Sequence, residues 1–158
     1  MKKLKVDFEE IAMFMENQDR YSNQYYFDKE TGETLIIPDE LMRALEEGES
    51  CEDLPKWELE LVPQAKEIFK GSSRYEEIPI RPSYEGYNLM VEFVEGLTEK
   101  KIQRELFIAL DGKGAFRRFK NVIRDYPEVE RQWYQFKREK DKEMVKDWLE
   151  SLSIELIE

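Results

Sequence analysis

The chain has 158 residues, of which 41% are hydrophobic, 13% aromatic and 39% charged, with a net charge of −11. This length and aromatic content exclude a disordered chain and suit one folded domain, residues 1–158. Histidine is absent and Cys51 stands alone. These two facts exclude an imidazole base, a Ser–His–Asp triad, an intramolecular disulfide, imidazole metal sites and a structural zinc site within one chain.

Any catalysis would fall to carboxylates, Lys, Tyr, Ser/Thr or Cys51. No stretch approaches the roughly 20 apolar residues that span a bilayer. The start is basic but turns acidic at Asp7, with no apolar signal core. A cytoplasmic setting is expected, and the net charge argues against wholesale binding to nucleic acid or anionic membrane.

In chain order, Leu4, Phe8, Ile11, Ala12 and Met15 have helical spacing. Tyr25–Phe27 and Thr34–Ile37 read as strands joined by the turn DKETGE, a β-hairpin with Gly32 free to take positive φ. Pro38 ends the second strand, and Asp39 is expected to cap a short helix through Glu47. Residues 46–53 form an acidic loop. A helix over 57–69, bent near Pro63, follows. RYEEIPI reads as a third strand over 74–78. Ser83 is expected to cap a helix ending near Gly96, with Tyr87, Met90, Val91 and Val94 inward. Thr98 is expected to cap the next, with Ile102, Leu106, Phe107 and Leu110 inward. DGKG makes a tight connection to the helix AFRRFKNVIRD. The last helix starts near Pro127 and runs to about Leu152. The fold class predicted is α+β: a small antiparallel sheet of about three strands, then a mostly helical C-terminal half.

Charge is unevenly spread. Residues 113–146 carry eleven bases and six acids, a local +5 inside an acidic chain. On a helix, Ala115, Phe116, Phe119, Val122 and Ile123 share one arc, while Lys113, Arg117, Lys120 and Arg124 share another. Arg118 flanks the apolar arc. Arg131, Arg138, Lys142 and Lys146 extend the theme on the last helix. The candidate anion-facing set is therefore Lys113, Gly114, Arg117, Arg118, Lys120, Arg124, Arg131 and Arg138. Free N–H groups at the helix start, close backbone approach at Gly112 and Gly114, and forked arginines all suit a phosphate or carboxylate. The same pattern also fits a glycine turn whose bases pair with the chain's own surplus acids. The phosphate-cradling GxxxxGK[ST] pattern is absent.

Other patterns carry less. A DNA-reading helix–turn–helix over 98–125 would place Phe116 and Phe119 where polar base-reading groups belong. The acidic run Glu46, Glu47, Glu49, Glu52 and Asp53 does not follow a calcium-loop pattern. Tyr25–Phe27 reads as core alternating with surface rather than as a base-stacking platform. Negative neighbours disfavour a Cys51 thiolate.

The stretches GKGAFRRFK, WYQFK and DWLES, with the hairpin YYFDKETGE and the RYEEIP strand, resemble an uncharacterised bacterial family, the uncharacterised protein family (UPF) 0158, over nearly the whole chain. The resemblance implies a bacterial, cytoplasmic protein and carries over no activity and no catalytic residues. The expected function is a non-catalytic binding or regulatory module with a basic helix patch, its partner a phosphate group, nucleotide, RNA or acidic protein. No cofactor, metal or membrane is expected, and sequence-specific DNA is disfavoured. The alternative is a carboxylate- and Mg²⁺-dependent hydrolase or nuclease. Self-association through exposed aromatics is a third reading.

Overall fold

The structure is a computed structural model describing residues 1–17 and 22–158. Lys2–Lys5 form a strand, β1, where helical spacing from Leu4 suggested a helix. The helix α1 begins only at Phe8 and runs to Glu16. Asp7 sets that boundary: its backbone is extended and its carboxylate accepts the Glu10 N–H at 3.2 Å. The hairpin is present as β2 (Asn23–Asp28) and β3 (Thr34–Pro38). Tyr25 and Phe27 are buried, and the half-buried Tyr26 donates its hydroxyl hydrogen to Gln24 Oε1 at 2.8 Å. Helix α2 follows at Asp39–Glu46, with Asp39 as its first residue rather than its cap. Residues expected in one bent helix form two, α3 (Lys56–Leu59) and α4 (Val62–Phe69). Pro63 falls in the first turn of α4, where no intrahelical N–H is required. The third strand, β4, is Tyr75–Glu77. The three form an antiparallel sheet in the order β3-β2-β4, and Phe27 faces Thr34 on one side and Glu76 on the other.

Four helices follow: α5 (Ser83–Glu95), α6 (Lys100–Ala109), α7 (Ala115–Arg124) and α8 (Pro127–Ser151). The expected caps Ser83 and Thr98 are displaced; Pro82 and Glu99 occupy those positions without a side-chain bond. A strand unforeseen in the sequence, β5 (Ile154–Ile157), pairs in parallel with β1, Leu4 opposite Leu156. Among the described residues no helix is long and apolar enough to cross a membrane.

The chain forms two compact units, Met1–Ile80 with Met144–Glu158, and Arg81–Glu143. The first buries Phe8, Ile11, Phe14, Phe27, Val145, Leu149 and Ile154 together, with the Trp148 ring edge-on to Phe27 at 5.7 Å. A second, smaller cluster joins Ile37, Leu41 and Ala65. At the hairpin turn, Arg74 forks onto the buried Asp28 carboxylate at 2.8 and 3.0 Å. Burial acts to raise the Asp28 pKa. The Arg74 bonds and those from Glu30 and Thr31 overcome it and hold the carboxyl below its ordinary value. Gly32 lies at φ +82°, and a β-carbon there would sit 2.6 Å from the Lys5 carbonyl oxygen, so the turn requires glycine.

The second unit is a helical bundle around Met90, Phe93, Val94, Leu106, Phe119, Ile123 and Trp133. Trp133 packs edge-on against Phe93 at 5.4 Å and Phe119 at 4.9 Å. A buried ion pair ties the start of this unit to α8: Arg81 Nη1 meets Asp141 Oδ1 at 2.9 Å, and Lys137 Nζ meets Oδ2 at 2.7 Å.

Candidate functional site

The basic stretch follows α6 through a turn in which Gly112 and Gly114 both take left-handed backbone, φ +80° and +78°. Gly114 is the N-cap of α7 and offers no side-chain bond to the first N–H groups. Ala115, Phe119 and Ile123 of α7 are buried, as the apolar arc predicts. Phe116 differs: it is 44% exposed. It sits in the first turn and packs beside Gly86 of α5, where a β-carbon would lie 3.3 Å from its ring.

The eight candidate residues do not behave alike. Lys113, Arg117, Lys120 and Arg124 are all exposed. Among the described residues none of their side chains forms an ion pair or a hydrogen bond. Arg117, Lys120 and Arg124, spaced i, i+3 and i+7, fall within one narrow arc of α7 that spans about 10 Å of helix, while Lys113 lies in the turn before the left-handed Gly114 cap and outside the helical arc the spacing predicts for it. This is a ridge of uncompensated positive charge.

Arg118 does something else. Its Nε donates to the Ala109 carbonyl at 3.0 Å, and its terminal nitrogens donate to the carbonyls of Asp111, Gly112 and Lys113. The guanidinium thus fills the end of α6 and the turn that follows, where carbonyls lack intrahelical donors. Its charge also opposes the negative end of the α6 dipole. Tyr87 completes the cap by donating to the Leu110 carbonyl at 3.0 Å. Arg118 holds the turn that aims the ridge and is occupied by backbone.

Arg131 forks onto Glu128 at 2.6 and 3.2 Å, both groups well exposed. This contact holds the Glu128 carboxyl below its usual value, the hydrogen bond first and the charge second. It also cancels the charge that Arg131 would add. Arg138 is exposed on α8 and engaged with a neighbour. The ridge on α7 is the part of the candidate set whose charge is available.

Residues 81–143 carry fourteen Lys plus Arg against twelve Asp plus Glu, a net +2, leaving −13 on the rest of the chain. The basic segment seen in sequence lies largely within the second unit, whose residues 81–112 are themselves slightly acidic. Lys101 and Arg104, exposed on α6, add to the positive surface of the second unit and were not singled out in the sequence, where nearby Glu99 and Glu105 mask them. Among the described residues no group of three or more Asp, Glu or Cys is placed to share a metal ion. The arrangement can hold an anion by several weak, additive, salt-sensitive contacts.

The chain belongs to an uncharacterised protein family, UPF0158, whose model matches residues 2–158. A relative from Pseudomonas aeruginosa, described as UPF0158 protein PA5073, is 26% identical over 159 residues, covering 98% of this chain and 88% of the relative. No solved structure matches the chain.

Proposed function

We propose that the protein is a non-catalytic binding module whose basic ridge, Arg117, Lys120 and Arg124 on α7 with Lys113 in the turn before it, holds an acidic segment of a partner protein. One observation supports this reading above others. Arg117, Lys120 and Arg124 are exposed and uncompensated on one arc of α7, with Lys113 exposed in the turn before it, whereas Arg118 is taken up by backbone carbonyls and Arg131 by Glu128. The overall charge of −11 favours a short acidic segment over a long nucleic acid, whose backbone would feel the repulsion of the whole chain. The setting in this reading is the cytoplasm, where a single free thiol such as Cys51 persists.

The test is fluorescence anisotropy with labelled oligo-glutamate and labelled oligo-uridylate. Oligo-glutamate binding is expected at low salt, falling at least about tenfold in Arg117→Glu/Lys120→Glu and little in Arg131→Glu. Equal binding by wild type and the double variant refutes the reading. Preference for the uridylate replaces the acidic protein with RNA.

A further inference from the structure

Beyond the α7 ridge, the second unit carries an apolar groove of about 460 Å³ between α5 and α6, lined by Tyr87, Val91, Phe107, Ile108 and Leu110, with Asp111 at its end. Phe107 was expected in the core but is 41% exposed, and Ile108 is 75% exposed. Tyr87 and Val91 stand one helical turn apart and make one wall. The outer face of α6 runs from cation to hydrocarbon: Lys101, Arg104 and Ile108 share it, at i, i+3 and i+7. Lys101 and Arg104 are exposed, and the Arg104 Nε rests only on the Lys100 carbonyl at 3.4 Å. Lys113 follows two residues beyond Asp111. An exposed apolar surface with a charged rim marks an interaction site.

A surface of opposite sign exists on the first unit. Around α3, Trp57 is 57% exposed and Leu59 is 38% exposed. They stand in a stretch where Glu46, Glu47, Glu49, Glu52, Asp53 and Glu60 are all exposed and Lys56 is the one base. An exposed tryptophan within an acidic surround is a counterpart of an apolar groove that Asp111 lines and that Lys101 and Arg104 flank along the outer face of α6.

We propose that the groove seats the acidic Trp57–Leu59 segment of a second copy of this chain, head to tail. Trp57 fills the apolar floor beside Ile108, and the acids around it face Lys101, Arg104 and Lys113. The contact is heterologous, so each copy still offers one free groove and one free segment, and growth continues until a ring closes. The interface is small and charge-assisted, so it is weak and salt-sensitive.

Sedimentation velocity tests this. The weight-average mass of the wild type is expected to rise from about one chain to two or more between about 10 and about 500 µM. Trp57→Ala and Ile108→Asp each stay monomeric, with unchanged circular dichroism. Mixed, they form a one-to-one complex and nothing larger, because one retains the groove and the other retains the tryptophan. Lys101→Glu/Arg104→Glu, altered only at exposed positions, is a second route to the same loss should Ile108→Asp not fold. Arg117→Glu/Lys120→Glu associates like the wild type, so failure of the ridge and failure of the groove are read separately. A wild type monomeric throughout, a mixture that stays monomeric, or association lost only with the ridge each overturns the proposal.

Discussion

Arg118 is the residue for which two readings of the basic stretch make opposite predictions. As an anion ligand its removal would abolish binding and leave the fold intact; as the cap of α6 it does the reverse. Arg118→Ala strips donors from four backbone carbonyls. Hydrogen bonds to a charged donor contribute roughly 1.5–3 kcal/mol when sheltered, and far less where water replaces them. The Ala109 carbonyl is part-buried and the other three are exposed. Counting the first at about 1.5 kcal/mol and the others at about 1 kcal/mol together gives a loss of about 2.5 kcal/mol. For a chain of this length that lowers Tm by about 5–10 °C. Thermal unfolding followed by far-ultraviolet circular dichroism measures it. Arg118→Lys retains the charge but cannot fork across four carbonyls, and recovers less than half of the loss. A stability change under about 0.5 kcal/mol, within the range of ordinary surface substitutions, refutes the capping argument. So does full rescue by lysine.

Two further predictions concern buried carboxyls. Asp141→Ala removes the buried carboxylate between Arg81 and Lys137, and is expected to cost about 3–5 kcal/mol by urea denaturation; Arg81→Met with Asp141→Leu recovers most of it, whereas a loss under about 1 kcal/mol in the single variant contradicts the pairing. Burial, then a hydrogen bond and charge repulsion from Glu40, push the Glu58 pKa up from 4.5 to about 7. The raised value means the folded state holds the proton, so this contribution is complete below pH 4.5 and is lost as pH rises towards about 7. Glu58→Gln is expected to flatten the stability profile across that window and to stabilise the protein above it; an unchanged slope in urea titrations at several pH values contradicts the assignment.

The elements that sequence announced are those whose signal is local. The Tyr25–Phe27 and Thr34–Ile37 hairpin, the glycine turn at 112–114 and the apolar arc of α7 all follow from period and turn chemistry. β1 and β5 were invisible because neither is a strand by itself. KKLK and IELI become strands through pairing with residues some 150 positions away, and no short window holds that information. The division of α3 from α4 was hidden because Pro63 suits either a kink or a first turn. At the candidate site, the arc of Arg117, Lys120 and Arg124 was readable from spacing alone, but Lys113 was not part of it, because the left-handed Gly114 caps the helix only after it. Arg118 was not: its partners are carbonyl oxygens, which every residue carries and no sequence distinguishes. Arg131 could be paired with Glu128 in hindsight from i, i+3 spacing, a signal too common in a chain rich in both charges to stand out.

The β1–β5 pairing also sets an order of assembly. Residues 81–143 are contiguous, so their bundle can close as soon as they leave the ribosome. The first unit must wait for residues 144–158 to bring Val145, Leu149 and Ile154 to a core whose other half was synthesised at the beginning. During that interval Phe8, Ile11 and Phe27 have no covering helix. A stop or a stall late in translation therefore yields a finished bundle carrying an unsealed, adhesive half-core, and such products are natural clients for chaperones and proteases.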